Sequence, residues 1–291
     1  MSLLSERVML ASLRIGSWSG TLFDGNVTEE VSERHNAEKG AGRYNKQIVS
    51  RKFLHPVTSK IAAARTAHRV LTLPWLDDGP RALYCPTYAQ YAQTMRIARQ
   101  DVQAAASEVA AHRGEAMAEA RQRLGSMFEE KDYPSADEIK ERYYVDAEIS
   151  PMPEAQDFRA KLSDDAVKAI TKDIERRSAD RLERAVADVY QRVGQVVQKM
   201  SERLKMYEPG VGEEPAKHTF RDTLIYNVKE VADLIPLLNI TGDPALDKLA
   251  KQLCDDLVEY SPEELKCNDK IRQQTAAKAD KIFNKVKKYM A

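Results

Sequence analysis

Apolar and small residues recur at alternating three- and four-residue steps in two long stretches of the chain, roughly 88–130 and 164–207. The first carries Tyr88, Tyr91, Met95, Ala98, Val102, Ala105 and Val109; the second carries Leu182, Val186, Val189, Val193, Val196, Met200, Leu204 and Tyr207. A repeat of this kind holds one stripe of a helix against a partner and favours a left-handed coiled pair. The pattern therefore predicts a mainly α protein built on a long antiparallel, coiled-coil-like helical hairpin with a tip inserted at 131–163. Alanines in the first stripe (Ala98, Ala105, Ala116, Ala120) let two backbones approach closely but bury little area. At about 1.5 Å per residue each rod spans about 65 Å, longer than a compact domain of this size is wide. Part of the hairpin is expected to project or to be completed by another subunit, so a homo-oligomer is expected.

Shorter elements flank the rods. Alternation around Leu13 and Ile15, ending at Gly16 and Gly20, predicts a strand, and Asn26 followed by Glu29 reads as the start of a helix running to about Lys39. Pro56 fits the first turn of a helix whose inner side holds Val57, Ile61, Ala64 and His68. Asp77-Asp78-Gly79-Pro80 is a turn, Arg81 to Cys85 is extended, and Thr87 is placed to cap the first rod. Ser135 with Glu138 is a capping box, Tyr144 to Ile149 alternates as a short strand, and Ser163 caps the second rod. The polar run Glu175 to Arg181 predicts a break in that rod's seam. Asp243-Pro244 and Ser261-Pro262 mark two of three C-terminal helices, at about 219–238, 244–260 and 262–290. Four segments follow: a basic α+β region at 1–87, the hairpin at 88–207, a Pro/Gly-rich linker at 208–218, and a C-terminal three-helix segment at 219–291.

Composition narrows the classes. The 291 residues are 43% hydrophobic and 31% charged, and 45 bases balance 45 acids, so any affinity for nucleic acid has to come from local segregation of charge. No apolar run approaches the roughly 18 residues of a membrane span. Glu6, Arg7 and Arg14 interrupt the first residues, leaving no signal-peptide core, so a cytoplasmic protein is expected. Cys85, Cys254 and Cys267 are unpaired in spacing and expected as thiols. The five histidines are scattered, and there is no phosphate loop, nucleophile elbow or dinucleotide fingerprint. Neither an enzyme, nor a cofactor, nor a metal is expected.

One asymmetry stands out. Between Lys39 and Gln100 lie eleven bases (Lys39, Arg43, Lys46, Arg51, Lys52, Lys60, Arg65, Arg69, Arg81, Arg96, Arg99) against only Asp77 and Asp78. Bases pair with phosphates, and aromatic faces stack on unpaired bases for about 1–3 kcal/mol each. The candidate nucleic-acid-binding residues are therefore Arg43, Lys46, Arg51, Lys52, Lys60, Arg65 and Arg69, with Tyr44 and Phe53 as stacking platforms. The alternative is that the aromatics are core residues and the bases face water or acids elsewhere.

Trp18-Ser19-Gly20, the basic stretch from Lys39 to Lys60, and Ser261-Pro-Glu-Glu-Leu265 leading into a last helix resemble an uncharacterised bacteriophage and prophage family of unknown function. Members are often encoded beside a MoxR-type AAA+ ATPase and a von Willebrand-type (VWA) domain protein, or near phage DNA-processing genes. The resemblance implies an accessory protein acting in the host cytoplasm. Three functions are expected in order: nucleic-acid binding, as of single-stranded DNA in recombination or replication; an adaptor for an AAA+ ATPase or other partner; and a self-assembling structural protein.

Overall fold

A computed structural model describes residues 2–153, 163–210 and 214–290. The strands are β1 (Val8–Gly16), β2 (Thr21–Phe23), β3 (Asn45–Gln47), β4 (Arg81–Tyr84) and β5 (Tyr144–Pro151). The helices are α1 (Ser2–Ser5), α2 (Gly25–Arg34), α3 (Arg51–Val70), α4 (Tyr88–Ala111), α5 (Arg113–Leu124), α6 (Ala136–Glu141), α7 (Asp164–Met206), α8 (Thr223–Leu238), α9 (Pro244–Leu257), α10 (Pro262–Cys267) and α11 (Asp269–Val286). The fold is mainly α, with a small sheet ordered β4-β1-β5 and a two-stranded β2-β3 ribbon. β1 and β4 are antiparallel, with Val8 opposite Tyr84 and Ala11 opposite Arg81.

The chain forms two compact units, both discontinuous. One, the α7 unit, comprises Met1–Ser12, Val70–Ala89 and Ile149–Ala291; the other, the α3 unit, comprises Leu13–Arg69 and Gln90–Glu148. The linear divisions expected at 87/88 and 207/208 do not follow these units. The expected linker at 208–218 belongs to the α7 unit, where Glu208 and Lys217 form an antiparallel bridge; its residues 211–213, and 154–162 of the expected tip, lie outside the described residues.

In the α7 unit the second rod is present as one 43-residue helix, capped by the Ser163 side chain. Its stripe of Val189, Val193, Val197, Met200 and Leu204 is buried in one core with Ala276, Ala279, Ile282 and Val286 of α11, and with Leu224 and Val228 of α8. Ser201 and Lys205 both bond Asp280, and Tyr190 stacks on Tyr289 at 4.7 Å between ring centroids. Residue numbers rising on α7 while falling on the α11 side mean that the two run antiparallel. The helix passes unbroken through 175–181; only the dry stripe stops, for the first buried residue of α7 is Ala185.

The first rod behaves differently. It is broken at His112 into α4 and α5 and ends at Leu124, where Gly125 takes a φ of 54°. Gly114 weakens helix propagation there by about 1 kcal/mol relative to alanine, and the Arg113 guanidinium is held by the carbonyl of Pro134 at 2.7 Å. Its buried residues Val102, Ala105, Ala106 and Val109 share a core with Val57, Ile61 and Ala64 of α3. The contacts His68–Tyr91 and Lys60–Asp101 set α3 antiparallel to α4. The predicted hairpin of rod with rod is thus replaced by two hairpins, α3 with α4 and α7 with α11. A heptad stripe specifies that one face is covered, not which helix covers it.

Several helix starts are as the sequence predicts. Ser135–Glu138 and Ser261–Glu264 are complete capping boxes, and Asp243 accepts from the Ala245 amide. Three differ. Asp24 rather than Asn26 caps α2, through the Val27 amide. Thr87 donates to the Tyr84 carbonyl inside a short 3-10 turn instead of capping α4. Asn268 splits the last helix and caps α11.

Candidate nucleic-acid interface

The candidate residues all lie in the α3 unit, on the β2-β3 ribbon, the loop before it, and α3. The ribbon is seated by Gly20, whose φ of +65° suits a residue without a side chain and whose carbonyl accepts from the amides of Ile48 and Val49. A Cβ at this position would lie 2.7 Å from Leu54 Cδ1. α3 forms because Leu54, Val57, Ile61, Ala64 and His68 recur at helical spacing and are buried along one face. It begins at Arg51, so Pro56 sits in the second turn and not the first, giving up the bond its amide would have made to the Lys52 carbonyl.

Lys46 is the clearest correction. Predicted to reach phosphate, it is only 4% exposed, and its ammonium lies 2.7 Å from Asp132 and 3.3 Å from Asp24, with a hydrogen bond to the Met127 carbonyl at 3.1 Å. Burial works against the charged ammonium, but the Asp132 and Asp24 carboxylates outweigh it and hold its pKa above the usual lysine value. The Asp24 carboxyl is held low, first by the Val27 amide and then by Lys46 against the opposing effect of burial. Lys46 is therefore a tie between the ribbon, the α2 cap and the Glu130–Asp132 turn.

The other candidates divide. Arg43 lies over the Phe23 ring at 4.5 Å. Lys52 pairs with Glu119 and lies 5.0 Å from the centre of the Phe53 ring; that pairing holds the Glu119 carboxyl low. Lys60 pairs with Asp101 at 2.9 Å. Tyr44 and Phe53 are half-buried, and Phe53 packs against the core, so neither offers an open face for base stacking. Elsewhere in the basic stretch, Arg81 bonds Thr72, and Arg99 bonds the Val145 carbonyl and Asp146.

What the fold brings together is a row of arginines. At 100° per residue Arg51 and Arg69, eighteen residues apart, are in line, and Arg65 lies about 40° away, along roughly 27 Å of helix. All three are exposed. Arg51 and Arg65 have no carboxylate partner among the described residues. α3 contains five bases and no acid, and Lys52 and Lys60 are offset by carboxylates from α5 and α4.

Protein-family models, curated proteins and solved structures were compared with the chain, and none matches. The chemistry has to be read from the site itself. Guanidinium forks pair with phosphate in two parallel hydrogen bonds, so the row can hold a polyanion without reading its sequence. Among the described residues no three His, Cys, Asp or Glu side chains are grouped to hold a metal, and no helix is long and apolar enough to cross a membrane. Sequence reasoning missed the acids that neutralise Lys46, because Asp24 and Asp132 lie 22 and 86 residues from it in the chain. No linear signal joins them.

Proposed function

We propose that this protein is a non-enzymatic accessory protein that binds nucleic acid through the outward flank of α3, gripping the phosphate backbone and not the bases. The carrying observation is that α3 has no acid while Arg51, Arg65 and Arg69 share one exposed flank. Because Tyr44 and Phe53 are partly sunk into the fold, the expected preference for single strands weakens: duplex and single-stranded DNA bind comparably. A place in phage recombination or replication, in the host cytoplasm, is the setting that the resemblance to the phage family suggests.

With about two phosphates engaged, by Arg51 and Arg65, log affinity falls with log salt with a slope near −2 for duplex. Fluorescence anisotropy with labelled single-stranded and duplex oligonucleotides at several salt concentrations tests this. Reversing Arg51 and Arg65 to glutamate lowers affinity more than tenfold for every sequence alike. Undetectable binding to both forms at low salt removes the proposal.

A second reading, an adaptor for a protein partner such as an AAA+ ATPase, is favoured by the exposed Leu22, Phe23 and Val31 of the β2–α2 region, beside a groove of about 860 Å³ lined by Phe23, Thr28, Glu33, Lys39 and Arg43. Co-purification with a partner that survives nuclease treatment supports it; loss of the partner on nuclease treatment favours the first.

A further inference from the structure

The polar run of α7 that interrupts the dry stripe borders a cleft in the α7 unit. Arg177, Arg181 and Arg184, spaced i, i+4 and i+7, lie on one side of the helix along roughly 10 Å of its axis. Facing them is the loop Trp75-Leu76-Asp77, and together they line a cleft of about 240 Å³. Trp75 is only 6% exposed, so its indole is a fixed apolar wall.

The charges do not cancel. Counting Arg176 and Asp180, and Asp173 which pairs with Arg176 and Arg177, four guanidiniums meet three carboxylates, a formal surplus of one positive charge. Arg176 is tied to Asp173 at 2.8 Å and Asp180 at 3.4 Å, and Arg177 to Asp173 at 2.7 Å through Nε, which leaves the terminal nitrogens of Arg177 to donate elsewhere. Arg184 meets Asp77 at 3.5 Å, and Asp77 is itself almost fully exposed, a contact worth little in water. Arg181 is half-buried and has no carboxylate partner among the described residues. A half-buried guanidinium without a carboxylate partner, between two partly committed ones and against an apolar wall, calls for a compact oxyanion with more than one charge.

We propose that this cleft binds a small ligand carrying two or more linked phosphoryl groups, with Arg181 at its centre and Arg177 and Arg184 on either side. The cleft is built from other residues than the α3 flank, and the proposal does not rest on that flank. Calorimetric titration of the full chain with inorganic pyrophosphate and tripolyphosphate, at fixed ionic strength, is expected to show saturable binding, with orthophosphate weaker. In a Trp18→Phe background the remaining Trp75 fluorescence changes with the same midpoint. Arg181→Ala weakens binding at least tenfold, Arg181→Lys falls between because the planar fork is lost, and Lys172→Ala, a base of α7 outside the cleft, leaves binding unchanged. Arg51→Glu with Arg65→Glu also leaves it unchanged. The proposal is overturned by the absence of saturable binding to either polyphosphate, by equal affinity in Arg181→Ala and the parent, or by an equal loss in Lys172→Ala. It is also overturned if a DNA oligonucleotide, and not pyrophosphate, is the ligand whose binding Arg181→Ala abolishes.

Discussion

The α3–α4 and α7–α11 hairpins are both antiparallel helix pairs closed over a stripe of small and branched residues, yet they dispose of charge differently. In the α3 unit polar groups are taken inside: Lys46 sits between two carboxylates, and His68 meets the Tyr91 hydroxyl at 2.8 Å in the seam itself. In the α7 unit the stripe of Val193, Val197 and Met200 is apolar and fully buried. The charge taken inside, Arg272 of α11, is met locally, by the Leu265 carbonyl and by Asp269 three residues away, while the buried Ser201 and the exposed Lys205 both bond Asp280. Charge is then concentrated beyond the end of the stripe, N-terminal to Ala185. A basic run in sequence is therefore not yet a binding surface; the fold decides which bases it consumes as ties and which it leaves for a ligand.

Each unit carries one buried tryptophan, Trp18 in the α3 core and Trp75 in the α7 core, so single-tryptophan variants report on the two separately. The largest effect is expected from Lys46→Ala, which leaves Asp24 and Asp132 facing each other without their cation and lowers stability by about 3–5 kcal/mol. Urea denaturation followed by Trp18 measures it; a loss under 1 kcal/mol would mean that the tie is a surface pair. Leu204→Ala should cost about 2–5 kcal/mol through the cavity it opens, and its effect belongs to the Trp75 signal. If both substitutions shift both signals equally, the contrast between the units fails.

Smaller effects sharpen the contrast. Tyr91→Phe removes the hydroxyl that His68 meets and should cost about 1–3 kcal/mol. Burial pushes the Tyr91 and Tyr143 hydroxyls up to about 12. Their folded pKa values lie above the unfolded value of about 10, so their contribution is whole below pH 10 and is lost as pH rises towards 12. Stability of the α3 unit should fall across that window, and Tyr91→Phe should remove part of the fall; an unchanged alkaline profile would count against a buried hydroxyl. At the acid end, the Lys205 ammonium, followed by the Ser201 hydroxyl, holds the Asp280 carboxyl low. Its contribution is present above the unfolded carboxylate range and lost as pH falls through the folded value, and Asp280→Asn should flatten that acid limb. Smallest is Lys60→Ala: its pair with Asp101 is half-exposed, and such pairs contribute about 0.2–1 kcal/mol.

Local structure was legible because its causes are local. The capping boxes at Ser135 and Ser261, the inner face of α3 from Val57 to His68, the strand at Tyr144 and the 164–207 rod are written within a few residues of where they act. The candidate site was legible only in part. Arg51 and Arg65 stand on an open flank as their spacing implies, whereas Lys46 does not, because its two carboxylates arrive from α2's cap and from the turn before α6. The α7 cleft was hidden for the same reason: Arg181 and Trp75 are separated by more than a hundred residues.

By itself, then, the order of residues determined that the chain is mainly helical, which faces of those helices are apolar, and where several of them start. These follow from side-chain period and from backbone amides satisfied by neighbours three residues away. Only the tertiary structure decided that α4 lies against α3 and α7 against α11, and which bases remain to meet a partner. A stripe of valine and alanine is complementary to almost any other such stripe, and a charge has no fixed role until the fold brings its counter-charge to it or fails to.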